Sequence, residues 1–117
     1  MVAIERNRKF FPELRSIGDS RLRVVQGDVQ FMSAHLHELG LPQIDVIISS
    51  IPFSFFSSPV RASIVQNTYD ALAPNGKFIV YQYSPLMLRY LKERFSSVRV
   101  RFEPRNIPPY FIMIAEK

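Results

Sequence analysis

Two adjacent hydroxyls, Ser49 and Ser50, stand directly before Ile51-Pro52-Phe53. The apolar run Ile44-Asp45-Val46-Ile47-Ile48 leads into them, with three β-branched residues in a row. Such a run predicts a strand covered on both faces, as in a parallel sheet between helices. Pro52 has no N–H for a sheet ladder and biases Ile51 away from helix, so the strand must end in a stiff loop, first polar and then aromatic. In open α/β sheets the carboxyl edge of the strands is where ligands bind. An ordinary proline turn after a buried strand fits the same residues equally well. Other chemistries are excluded more firmly. The sequence has no cysteine, which removes thiol nucleophiles, disulfides and Cys-bound metals. Its only histidines, His35 and His37, fall in a predicted helix, where a two-residue spacing turns their rings about 200° apart. No metal site is expected.

The positioning elements come from a chain of 117 residues, a length suited to one domain, residues 1–117, with one core. An apolar fraction of 47% and an aromatic fraction of 13% suit a globular protein rather than a disordered one. No apolar run approaches the ~20 residues of a membrane-spanning helix, and the start lacks a signal-peptide layout. The expected location is cytoplasmic. The net charge of +5 favours an anionic partner. Arg89, Lys92, Arg94, Arg99, Arg101 and Arg105 crowd one segment, relieved by Glu93 and Glu103. That segment is either a solvated helix followed by a charge-protected edge strand or a surface that faces anions.

Met1 to Ile4, ending in Glu5, reads as a short strand that starts at the first residue, and Asn7 as a cap. Pro12 makes the following helix either kinked or begun near Phe11, ending about Ile17. Arg23–Gln26 is a second strand, closed by Gly27-Asp28. A short helix from Phe31 to Leu39, with Phe31, Ala34 and Leu39 inward, stops at Gly40. After the Ile44 run, Pro59 to Leu72 forms a helix with Ser58 as its cap and Val60, Ile64, Ala71 and Leu72 on one side. Ala73-Pro74-Asn75-Gly76 signals a turn. Lys77–Tyr83 is a strand, and a helix follows from Ser84-Pro85 to about Phe95. Two strands close the chain, Val98–Glu103 and Tyr110–Ala115, joined through Asn106-Ile107-Pro108-Pro109. The order β-α-β-α-β-α-β-α-β-β predicts an α/β fold with a mostly parallel, doubly wound sheet and an antiparallel last strand.

With these residues the layout resembles the Rossmann-like class I methyltransferases that use S-adenosylmethionine. Within them it is similar to the bacterial phospholipid N-methyltransferases, relatives of the ribosomal RNA adenine dimethylases. Four stretches carry the likeness: Val2-Ala3-Ile4-Glu5-Arg6-Asn7, Gly27-Asp28-Val29, Ser49-Ser50-Ile51-Pro52-Phe53 and Leu72-Ala73-Pro74-Asn75-Gly76-Lys77-Phe78. The ending Asn106-Ile107-Pro108-Pro109-Tyr110 adds to the lipid side of the resemblance. The resemblance implies that Glu5 accepts from the cofactor's ribose hydroxyls, and that Asp28, with Val29 beside it, meets the adenine amine. Ser49 belongs to the same cofactor-facing set. Ser50, with backbone carbonyls around Pro52, would hold the target amine, and Phe53 would pack against it. The plainer alternatives are a solvated strand-end charge for Glu5, a local turn for Asp28 and simple core burial for Phe55 and Phe56. Nucleic-acid enzymes of this group commonly have Asn where Ser50 stands, so a lipid headgroup amine of phosphatidylethanolamine type is the expected substrate. Phe55 and Phe56 would suit acyl chains.

The family's first strand, Gly-rich loop and following helix have no counterpart among these residues, since the four glycines occur nowhere near G-x-G-x-G. The expectation is therefore an N-terminally truncated domain with an unfilled slot in mid-sheet and two exposed strand edges. Either the chain is part of a longer enzyme, or two copies pair or exchange strands as a homodimer. In both cases the isolated chain should bind S-adenosylmethionine poorly. A nucleic-acid adenine methyltransferase and a non-catalytic dimeric scaffold are the competing functions. Contact with anionic lipid, peripheral to the inner face of a membrane, is the expected partner surface.

Overall fold

The computed structural model describes residues 1–117 and divides them into two compact units, Met1–Leu41 and Pro42–Lys117. In the first unit, β1 (Val2–Glu5) pairs in parallel with β2 (Arg23–Gln26), with Glu5 opposite Gln26. Between them Asn7 caps a 3-10 turn at Arg8–Phe10 by accepting from the Lys9 N–H at 3.0 Å. This turn lets α1 start late, at Phe11–Ser16, with Pro12 in its first turn where no N–H is needed. After β2, a second 3-10 turn at Val29–Phe31 leads into α2, Met32–Glu38. Gly40 closes α2 at φ 68°, a left-handed conformation that favours glycine. Its N–H donates to His37 O and the Leu41 N–H reaches back to Leu36 O, which satisfies the last carbonyls of the helix. The inward residues of α2 are Met32 and Leu36, not Phe31, Ala34 and Leu39; Phe31 is exposed. Phe31 lies in the 3-10 turn before the helix, so it is not on the helical stripe, which Met32 and Leu36 form at a four-residue spacing.

The second unit contains β3 (Ile44–Ser49), α3 (Ser58–Ala71), β4 (Leu72–Gln82), α4 (Leu88–Arg94), β5 (Ser97–Glu103) and β6 (Tyr110–Glu116). Its strand order is β3-β4-β6-β5, with β3 and β4 parallel and the other two pairings antiparallel. Residues alternate between the two faces of a strand. Phe78 and Val80 of β4 therefore share a face with their β6 partners Ala115 and Met113, and all four are buried. Ile64, Val65 and Thr68 of α3 and Leu91 of α4 are buried as well. The opposite face is bare at β3, where Val46 is 49% and Ile48 64% exposed. The expectation of a strand covered on both faces is thus corrected. A continuous apolar run fixes the strand but not whether a layer lies on each side.

The predicted turn at residues 73–76 takes an unexpected form. The chain leaves α3 directly into extended structure at Leu72, and β4 then advances from Leu72 to Lys77 while β3 advances only from Ile44 to Val46. The Pro-Asn-Gly segment is taken up as an irregularity inside β4, with Asn75 at φ 63°. β1 pairs only with β2 and β3 only with β4, so each keeps one edge unpaired, in accord with the two open edges expected. No helix is long and apolar enough to cross a membrane.

Candidate functional site

Within the first unit, parallel pairing of β1 and β2 brings Glu5 and Gly27-Asp28 to the same carboxyl rim; the Gly27 N–H donates to Glu5 O at 3.1 Å. Glu5 Oε1 accepts from the Asn7 N–H at 2.6 Å, which turns the chain out of the strand. Its other carboxylate oxygen makes no hydrogen bond. Asp28 Oδ1 accepts from the Gln30 N–H at 2.9 Å, the local turn anticipated as the plainer reading. Asp28 Oδ2 faces only Arg6, 3.8 Å away in a loose ion pair. Both carboxylates are half-buried and each keeps acceptor capacity. Val29 opens the 3-10 turn beside Asp28. Gly27 leaves room for the ring of His35: an added Cβ would sit 2.1 Å from His35 Nε2. That nitrogen is buried without a hydrogen-bond partner, an orphan polar atom beside the Gly27-Asp28 loop.

These features fit the nucleoside end of S-adenosylmethionine. The free Glu5 oxygen can accept from a ribose diol, and Asp28 Oδ2 from an adenine amine. The chain has no glycine-rich loop through which backbone N–H groups could approach the methionine end.

Within the second unit, Ser49 ends β3 and its Oγ accepts weakly from the Ile51 N–H, at 3.4 Å. Ser50 and Pro52 are exposed. Phe53 is not: it is wholly buried, its ring 6.2 Å from that of Phe56. The expectation that Phe53 packs against a target amine is therefore corrected, because a ring with no accessible surface anchors the loop from beneath. Phe55, 85% exposed, is the outward aromatic of this loop.

Sequence reading missed the residues that fix the loop. Gln82, buried at the end of β4, donates from Nε2 to Ile51 O at 2.9 Å. Arg61 of α3 donates from Nε to Phe53 O at 2.9 Å and from Nη2 to Ser54 O at 3.3 Å. Ser58 does not cap α3; its Oγ is 2.9 Å from the Tyr90 hydroxyl, and Ser57 occupies the cap position. The same hydroxyl accepts from Arg61 Nη1 at 3.5 Å and from Arg89 Nη2, and the Arg89 guanidinium lies 4.5 Å over the Tyr90 ring. Gln82 carried one available signal, since its amide interrupts the apolar and aromatic run Phe78–Tyr83; Arg61, in a helix with several other polar residues, carried none. The Ser58–Tyr90 contact, across 32 residues, carried none.

The Ser58 hydrogen bond, then Arg89 and then Arg61, favour the Tyr90 phenolate and lower its pKa from 10.0 to about 8. One of the five tyrosines should therefore titrate near pH 8 in ultraviolet absorbance, and Tyr90→Phe should remove that phase. A depressed pKa favours the folded state once the group is ionised. The associated stability is lost as pH falls through about 8 and fully present above 10. A spectrum with no tyrosine ionising below pH 9 would refute this. On the same rim of the unit, Tyr83 and Tyr110 stack at 4.6 Å, and their hydroxyls hydrogen-bond at 2.8 Å. That bond, first of all, raises the Tyr110 pKa.

No family model matches the chain. It is 30% identical over 112 residues to an ornithine lipid N-methyltransferase of Singulisphaera acidiphila; the match covers 93% of this chain and 58% of that protein's length. Among solved structures, the N-methyltransferase NodS of Bradyrhizobium japonicum, in complex with S-adenosylhomocysteine, superposes with a TM-score of 0.79 at 11% identity. That superposition covers 99% of this chain and 65% of NodS. An rRNA methylase of Streptococcus thermophilus superposes with a TM-score of 0.71 at 12% identity, over 98% of this chain and 72% of the other. The chain therefore has the Rossmann-like class I methyltransferase fold, as the resemblance implied, and spans somewhat more than half of the curated lipid N-methyltransferase to which it is similar.

Proposed function

We propose that this chain is the nucleoside- and acceptor-binding part of an S-adenosylmethionine-dependent methyltransferase acting on a lipid headgroup amine, of phosphatidylethanolamine or ornithine-lipid type. The observation that carries the reading is the pair Glu5 and Asp28 on one strand rim, each with an oxygen left to accept. Similarity to an ornithine lipid N-methyltransferase supports the acceptor class. S-adenosylmethionine supplies an electrophilic methyl group for in-line transfer to nitrogen. Methylation of an amine asks little of the protein beyond a neutral lone pair held in line. Glu5 and Asp28 orient the nucleoside. Ser50 Oγ and the carbonyls of its loop accept from the amine, and the buried Phe53 keeps that loop from drifting. Exposed Phe102 and Ile107, on a segment with Arg99 and Arg101, support peripheral contact with an anionic lipid surface.

Equilibrium dialysis of the 117-residue chain tests the nucleoside half of this reading. Adenosine and S-adenosylmethionine should bind with dissociation constants within about threefold of each other, because only the shared nucleoside is held. Glu5→Ala or Asp28→Ala should each weaken both about tenfold, the loss of a charge-assisted hydrogen bond. Adenosine affinity unchanged by both substitutions would sink the reading. Transfer of labelled methyl to RNA, with none to micellar amino-lipid, would overturn the choice of acceptor.

A further inference from the structure

We propose that Arg61, Arg89, Ser58 and Tyr90 form a receiving site for the oxyanion of a zwitterionic headgroup, whose amine is thereby directed to the Ser50 loop. The inference deepens the function proposed above and rests on it. Two guanidiniums converge on one phenol oxygen: Arg61 Nη1 at 3.5 Å, and Arg89 Nη2 in direct hydrogen bond. Arg89 Nη2 also lies 3.5 Å from Ser58 Oγ. The ion pairs of the protein join Arg6, Arg21, Arg94 and Arg105 to carboxylates, whereas neither Arg61 nor Arg89 has a carboxylate within ion-pair distance. While Tyr90 carries its proton, two like charges aimed at it repel each other, and an anion between them relieves the repulsion. The cluster is open to solvent at Arg89 and Ser58, with Tyr90 buried beneath. Guanidinium forks and hydroxyls suit carboxylate and phosphate oxygens.

Its place in the chain makes this more than a general anion site. Arg61 donates simultaneously to Phe53 O and Ser54 O, so the positive charge is fixed to the loop that carries Ser50 and Pro52. Two residues, Ile51 and Pro52, separate Ser50 from Phe53, so three residue steps span at most about 10 Å of backbone. A headgroup with an oxyanion and an amine a few bonds apart could engage both. Phe55, projecting from the same loop, offers the apolar contact expected beside a lipid and not beside a polynucleotide backbone.

The test is a nuclear magnetic resonance titration of the 117-residue chain that follows its arginine Nε–H resonances. The probes are N-acetylornithine, O-phosphoethanolamine, ethanolamine, inorganic phosphate and an RNA oligonucleotide. N-acetylornithine or O-phosphoethanolamine, or both, should bind at least tenfold tighter than ethanolamine or inorganic phosphate. Arg89→Gln, an exposed change that leaves the Arg61 bonds to the loop in place, should abolish that advantage; Arg61→Lys should reduce it. A preference for N-acetylornithine identifies a carboxylate source and a preference for O-phosphoethanolamine a phosphate-ester source; both uphold the site. Equal binding of ethanolamine, equal binding of inorganic phosphate, tighter binding of the RNA, or an Arg89→Gln affinity equal to wild type would each overturn it. The readout does not depend on methyl transfer. Arg89-dependent probe binding, with adenosine affinity unchanged by Glu5→Ala and Asp28→Ala, keeps this site and fails the functional reading. Adenosine affinity lost in those two variants, with probe affinity equal in Arg89→Gln and wild type, does the reverse.

Discussion

Phe53→Ala should destabilise the protein by about 3–5 kcal/mol, the usual cost of truncating a fully enclosed aromatic side chain. Phe53 has no exposed surface, and its ring meets Phe56 at 6.2 Å. Its carbonyl also receives Arg61, so the cavity opens beneath the residue that ties α3 to the loop. For a chain of this size the loss corresponds to a fall in Tm of roughly 10–20 °C. Phe55→Ala, two residues away and 85% exposed, should change stability by no more than about 0.5 kcal/mol. Paired thermal melts followed by circular dichroism give the comparison. Similar melting temperatures for the two variants would contradict the anchoring role assigned to Phe53.

Gly76→Ala carries the second large effect. An added Cβ would lie 2.7 Å from Ala73 O and 3.2 Å from Asp45 O, with Leu72 Cδ2 at 3.1 Å. Two of these neighbours are backbone carbonyls, which cannot swing aside as a side chain does. Gly76 O also accepts from the Lys117 N–H at 3.0 Å, holding the end of β6 against β4. Overpacking of this kind costs about 1–3 kcal/mol, and the methyl group should open the β3–β4 pairing next to Asp45. Gly40→Ala provides the contrast. Nothing lies within 4 Å of the methyl group it would introduce, so its cost, about 1 kcal/mol, comes from φ 68° alone. Urea denaturation should rank Gly76→Ala well below Gly40→Ala in stability. The reverse order would show that local backbone preference, not space, governs these two positions.

The alternation of strands and helices was legible because each boundary carries its own punctuation. Gly40 ends α2 by the capping geometry its residue type favours, and Pro12 and Pro59 lie in first turns, where a missing N–H costs nothing. The open edges of β1 and β3 followed from counting strands against the resemblance. What the sequence concealed concerns direction rather than existence. Phe53 and Phe55 have the same side chain two positions apart in one loop, yet one is enclosed and the other projects into water. Val46 and Ile48 read as buried because hydropathy reports what a face prefers, not what lies on it. Arg61 looked like the solvated face of a helix, and Arg89 belonged to a basic segment that fitted a solvated face and a surface facing anions equally well. Their convergence depends on how α3 and α4 pack, which no local pattern encodes.

The irregular start of β4 has one more effect. The chain passes from α3 into β4 without a connecting loop, and the slack that a loop would have absorbed is folded into the strand between Leu72 and Lys77. Lys117 Nζ donates to Leu72 O at 2.7 Å across that slack, so the final residue serves as a clasp on a seam in the middle of the sheet. The same strand ends at Gln82, whose amide holds Ile51, so a single strand carries both the clasped seam at one end and the tether of the serine loop at the other.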